Sequence, residues 1–152
     1  MKLSDNFWLL EFQRSQQATR LGINNIIPEE LIPSIRYLAQ TTLQPLRNIY
    51  GNPIRIGSGY RCGALNSYVG GSVNSQHMIG EAADIDTVHD NLTLFRMIID
   101  NKIPFDQLIW EFGDEKPEWV HVSCRMKDNR KQILRAYRDK YGAHYSPFIY
   151  QV

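Results

Sequence analysis

The chain has 152 residues, with 17 Lys and Arg against 16 Asp and Glu. That length suits one domain able to bury roughly 68–70% of its unfolded surface without disulfides, and 43% apolar with 22% charged residues excludes a chain disordered throughout. A net charge of +1 argues against a protein built to grip nucleic-acid backbone, and no apolar run approaches the ~20 residues a membrane-spanning helix needs.

The opening stretch reaches Asp5 and Glu11 too early to hold the uninterrupted apolar core of an export signal. The chain is therefore expected to be made in the cytoplasm without a signal peptide. Residues 6–21 read as a helix through Phe7, Leu10, Phe12, Ala18 and Leu21, with Gly22 at the C-cap position. A second helix is predicted over 29–50, where Leu31, Ile35, Leu38, Thr42, Leu46 and Ile49 recur at spacings of three and four. Pro33 is tolerated near its start, Pro45 predicts a kink, and Gly51 ends it. From residue 53 the period changes to two: Ile54 and Ile56 alternate with polar neighbours, predicting a strand over 53–60. Residues 61–80, rich in Gly, Ser and Asn, read as one polar loop, and a loop of that length is usually functional or disordered. A strand over 82–88 follows, then a helix over 91–100 capped by Asp90. Residues 107–111 and 119–123 read as two more strands around a charged turn, and 131–138 as an edge strand. Two helices ahead of a small, mainly antiparallel sheet make a single α+β domain over 1–152.

The chemistry concentrates in Ser75-Gln-His77, Asp84 and Glu118-Trp-Val-His121. Alternation along 119–123 puts His121 on the face opposite Val120 and Val122, so its imidazole need not enter the apolar core. If that strand neighbours the one carrying Asp84, the two side chains converge with His77 from the loop. Two imidazoles and one carboxylate suit a tetrahedral zinc that keeps its fourth position for water, a catalytic rather than a structural arrangement. A zinc hydrolase also needs a proton acceptor and a cation for the oxyanion. Glu118, three residues before His121, is a candidate base, and Arg61 a candidate for the positive charge. Blander readings stand beside these. Asp84 with Asp86 also fits a solvated strand face, Glu118 an exposed charged turn, and His89 and His144 ordinary surface residues. Cys62 and Cys124 lack CxxC spacing and read as thiols rather than ligands, with a disulfide open if their strands adjoin.

Taken jointly, Ser58-Gly-Tyr-Arg61, Leu65-Asn66, Gly70-Gly-Ser72, Ser75-Gln-His77-x-x-Gly80-x-Ala-Ala-Asp84-Ile85 and Glu118-Trp-Val-His121-Val-Ser123 resemble the zinc D-Ala-D-Ala carboxypeptidase family of metallopeptidases. The likeness is greatest to its small single-domain members, peptidoglycan carboxypeptidases and phage endolysins. The resemblance implies a hedgehog/DD-peptidase-like fold and one zinc per chain on His77, Asp84 and His121. It implies Glu118 as general base, Arg61 at the polarised carbonyl and Ser75 as a substrate-binding hydroxyl. The implied activity is hydrolysis of peptidoglycan stem peptides by a monomer, foremost as a D-Ala-D-Ala carboxypeptidase. The rivals are an L-Ala-D-Glu endopeptidase on the same site and a non-catalytic virion or structural protein that keeps the fold. Acting on the cell wall without an export signal points to release through a phage holin or carriage in a virion.

Overall fold

In the computed structural model, which describes residues 1–151, two short helices open the chain, α1 (Leu9–Gln13) and α2 (Gln16–Leu21). A single helix was expected there. The break falls at Arg14 and Ser15, both extended, and the Ser15 hydroxyl accepts the Ala18 N–H as an N-cap. Gly22 closes α2 at φ 64°, where a side chain would be strained.

The second predicted helix is one continuous rod with changes of pitch. It runs from a 3-10 turn (Glu29–Leu31) through α3 (Ile32–Leu38) and a π segment (Ala39–Leu43) into α4 (Gln44–Tyr50). Pro45 offers no N–H and its ring crowds the carbonyl four residues back, so the wider π turn stands just before it. Next come β1 (Arg55–Ser58), α5 (Gly63–Tyr68), a 3-10 turn (Gln76–Ile79), β2 (Ala82–Asp86) and α6 (Asn91–Asp100). The stretch read as a loop therefore holds a helix and a 3-10 turn, anchored by the buried Leu65, Asn66, Gln76 and His77. α6 has the expected cap, with Asp90 accepting the Leu92 N–H at 3.0 Å. The chain ends in β3 (Gln107–Glu111), β4 (Trp119–Ser123), β5 (Gln132–Asp139) and β6 (Gly142–Pro147).

The six strands form one sheet in the order β1-β2-β4-β3-β5-β6. Every pairing is antiparallel except β3 with β5, which is parallel. β5 is thus interior, and the edge expected of it belongs to β6. The architecture is α+β.

Period-two alternation divides the sheet's side chains between its faces. Ala83, Ile85, Leu108, Val120 and Val122 are fully buried and pack with Ile35, Leu38, Leu43, Leu46, Leu94, Phe95 and Ile98 of the helices. Each large side chain buried in this way contributes roughly 1.5–3 kcal/mol. The opposite face carries Asp84, His121, Ile109 and Glu111, which the register places side by side: Asp84 opposite His121, and His121 opposite Ile109. A smaller cluster of Ile109, Phe112, Leu134 and Ala136, with Trp119 against it, forms the floor on this side. One layer of helices supports the sheet, leaving its other face for chemistry.

Candidate metal centre

His77 is held from both sides. Its 3-10 turn begins at Ser75, whose hydroxyl accepts the His77 N–H at 3.3 Å, and ends at Gly80 with φ 72°. A Cβ on Gly80 would lie 2.8 Å from Ile35 Cγ1 and 3.2 Å from the Leu31 carbonyl, so the turn packs onto the helical rod only with glycine there. The His77 Nδ1–H donates to the Gly59 carbonyl at 2.7 Å, and the Arg61 N–H donates to the His77 carbonyl at 3.2 Å. A carbonyl can only accept, so in the neutral imidazole the proton sits on Nδ1 and Nε2 presents a lone pair.

That lone pair faces two further acceptor-capable atoms. His77 Nε2 lies 3.3 Å from Asp84 Oδ1 and 3.3 Å from His121 Nδ1, and His121 Nδ1 lies 3.0 Å from the same carboxylate oxygen. Bonds of about 2.0–2.1 Å to a tetrahedral zinc place ligand atoms about 3.3 Å apart. The triangle therefore has the dimensions of a ligand set. It is also poorly satisfied as a hydrogen-bond cluster, because a lone pair of His77 points at a carboxylate. A cation between the three atoms resolves that conflict. The Gly59 carbonyl, just past β1, is the outer hydrogen bond that commonly orients a metal-bound imidazole. Burial opposes ionisation of Asp84, but the imidazoles of His77 and His121, when protonated, outweigh it and hold the carboxyl well below the usual range. His77, Asp84 and His121 are thus brought together and could hold a metal ion.

The group lies in an open cleft of about 910 Å³ whose walls include Arg61, Ser75, Glu111, Arg125, Arg130 and Tyr145. Arg61 reaches Ser75 with a long 3.4 Å contact, and its Nε is buried without a partner. Burial lowers its pKa, opposed by the carboxylates of Asp84 and Glu111. Ser75 lines the cleft while capping the His77 turn. At the cleft's far end Asp106 is fully buried and accepts from Arg130 at 2.6 Å and from Gln76 at 3.0 Å, with Arg125 at 3.3 Å. Burial pushes the Asp106 carboxyl up, but its bonds to Arg130 prevail and hold it low. This network, absent from the sequence reading, fixes the residue beside His77.

Glu118 is not brought into the cleft. Its side chain is half exposed, pairs with Arg138 at 3.1 Å and borders a separate depression of about 320 Å³. Glu118 stands at a bend just before β4, and its carboxylate is taken up by Arg138. The buried carboxylate of the cleft is Glu111 instead. It pairs in register with Trp119, two residues from His121 and hence on the same face. Burial is the chief reason its pKa is pushed up to about 7, with the nearby Asp84 charge adding to it and His121, Arg138 and Arg61 opposing. The signal was present in the sequence. Within Gln107–Glu111 the alternation sets Ile109 and Glu111 on one side, and a carboxylate closing an apolar strand is unusual unless it has work to do.

Both cysteines are free thiols, outside the ligand group. Two imidazoles and one carboxylate on the floor of an open cleft, with a buried carboxyl and an unpaired guanidinium beside them, define the site of a metal-dependent hydrolase. The family description "Peptidase M15" matches residues 5–123, and the chain belongs to that family, zinc metallopeptidases of the D-Ala-D-Ala carboxypeptidase type that act on peptidoglycan. None of the curated proteins compared with the chain matches it.

Proposed function

We propose that this chain is a zinc peptidase that hydrolyses the stem peptides of peptidoglycan, with His77, Asp84 and His121 as its metal ligands. The observation that carries the reading is the convergence of their three ligand atoms within 3.3 Å on the floor of an open cleft. Zinc held there supplies a Lewis acid that acidifies water and polarises a carbonyl.

The remaining steps fall to side chains. Glu111 accepts the proton of the attacking water and returns it to the leaving nitrogen, its buried carboxyl lying on the same face as the ligand group. Arg61, with a buried and unpartnered Nε, holds positive charge where the oxyanion of the tetrahedral intermediate develops. Ser75 keeps His77 in place and offers its hydroxyl at the cleft wall to the substrate. In this reading Glu118 is a surface residue.

The bond we assign first is the terminal D-Ala–D-Ala link, as the family resemblance implies. One observation favours the endopeptidase reading: the cleft continues past the His121 row both toward Arg125 and Arg130 and toward Glu111 and Tyr145. A carboxypeptidase needs room for chain on one side only. Digestion of purified muropeptides followed by mass spectrometry separates the two, because one releases D-Ala and the other cuts between L-Ala and D-Glu. Unchanged muropeptides with zinc-loaded protein would overturn the proposal as a whole.

A further inference from the structure

The matched family region ends at residue 123, yet the sheet continues through β5 and β6, and this hairpin builds one wall of the cleft. The register sets Trp119 opposite Glu111, Glu111 opposite Ala136, and Ala136 opposite Tyr145. Residues paired in this way share a face, so the Tyr145 phenol rises on the same side as the base across a single methyl group. Ala136 is the smallest side chain the row could hold without glycine, and it is buried between its neighbours. Tyr145 lines the cleft while remaining about half exposed, with Ala143 beside it on the same face of β6. Arg138, two residues beyond Ala136 and on the same face, lines the cleft at this end as well.

Charge selects what this wall receives. The cleft is lined by Arg61, Arg125, Arg130 and Arg138 against the carboxylates Asp84 and Glu111. Arg125 and Arg130 are committed to the buried Asp106. Arg138 pairs with Glu118, and both partners are about half exposed, a type of contact worth little. Its guanidinium is kept in place by stacking, 3.5 Å above the Phe112 ring and 5.7 Å from that of Trp119. A phenol and a stacked guanidinium on one rim are the donors that recognise a carboxylate. From His121 to Tyr145 the path crosses three strand spacings and two residues of rise, about 16 Å between Cα atoms. Allowing for side-chain reach, the phenol stands a residue or more of extended peptide away from the ligand group.

We infer that Tyr145 and Arg138 form a subsite for a free carboxylate of the peptide substrate, beside the scissile bond on the Glu111 side. This rests on the peptidase reading, and it makes the C-terminal hairpin a specificity element. The carboxylate has two sources in such peptides, the chain terminus and the free α-carboxylate of an isoglutamyl residue.

The test is steady-state hydrolysis of three synthetic stem peptides by zinc-loaded protein: the free acid, the C-terminal amide and the isoglutamine form. Tyr145→Phe and Arg138→Gln should each raise KM about tenfold on the free acid, with kcat within twofold. Wild type should show the same loss on whichever amidated peptide lacks the recognised carboxylate, and on that peptide the variants should add nothing further. The peptide that reproduces the loss identifies the source. Equal kcat/KM on all three peptides in wild type, or variants that lose as much on each of the two amidated peptides as on the free acid, would overturn the subsite. Failure of wild type to cleave any of the three would instead refute the peptidase reading, and binding of the free acid to Glu111→Gln by calorimetry would still report the subsite. There, loss of binding in Tyr145→Phe supports it and unchanged binding overturns it.

Discussion

Replacing Glu111 with glutamine isolates the cost of burying its charge. In the folded chain its pKa is pushed up from 4.5 to about 7, chiefly by burial. Between those values the folded protein holds a proton that the unfolded chain has lost, so stability falls as pH rises across that window. The contribution is intact below pH 4.5 and gone above pH 7. At 1.36 kcal/mol per pH unit the full change is about 3 kcal/mol, equivalent to roughly 6–12 °C in Tm for a chain of this size. A bound dication nearby would favour the carboxylate, so the measurement belongs on chelator-treated protein. Urea unfolding of wild type and Glu111→Gln at pH 4.5 and pH 8 should show the wild type losing about 3 kcal/mol more than the variant between the two conditions. Glu118→Gln, altering a half-exposed side chain, should track wild type within about 0.5 kcal/mol at both. Parallel behaviour of wild type and Glu111→Gln would refute the argument that burial governs this carboxyl. With zinc restored, Glu111→Gln should lose at least a hundredfold in kcat on muropeptides and Glu118→Gln less than twofold; the reverse order would return the base to Glu118.

Gly80→Ala combines strain at φ 72° with a Cβ 2.8 Å from Ile35 Cγ1, and should destabilise the fold by about 1–3 kcal/mol, read by urea unfolding. It should also weaken zinc retention, because the 3-10 turn that carries His77 has to shift; an unaltered midpoint would show that the turn has slack. Arg61→Ala should lower kcat about 10²–10³-fold with zinc content unchanged, and Arg61→Lys should recover little of it because lysine lacks the planar fork. An alanine variant that melts early yet turns over normally when cold would make Arg61 a purely structural residue.

What was legible in the sequence was local. Alternation in Trp119–Ser123 separates His121 from Val120 and Val122, which the fold buries completely, and the Asp90 cap and helix over 91–100 follow from residue types alone. Convergence of His77, Asp84 and His121 was readable from spacing because β2 and β4 are neighbours in register. Glu118, expected as the base, stands at a bend just before β4 with its carboxylate on Arg138 of β5, a pairing that no local pattern encodes. β6 left no trace because an edge strand exposed at every residue needs no apolar pattern. The parallel β3–β5 pairing depends on a return of the chain past β4 that no local pattern encodes. The helix Gly63–Tyr68 was masked by its polar setting, being fixed by burial of Leu65 and Asn66 within a stretch that otherwise reads as loop.

Metal content tests the central claim most directly. Elemental analysis of protein purified without added metal, then of His77→Ala and His121→Ala prepared identically, requires no substrate and no assumption about the scissile bond. Three ligand atoms within 3.3 Å of one another predict close to one zinc per chain in wild type and little in either variant, with circular dichroism confirming that both variants fold. Metal retained undiminished in both folded variants would contradict the assignment of His77, Asp84 and His121, and with it the account of the cleft as a zinc peptidase site.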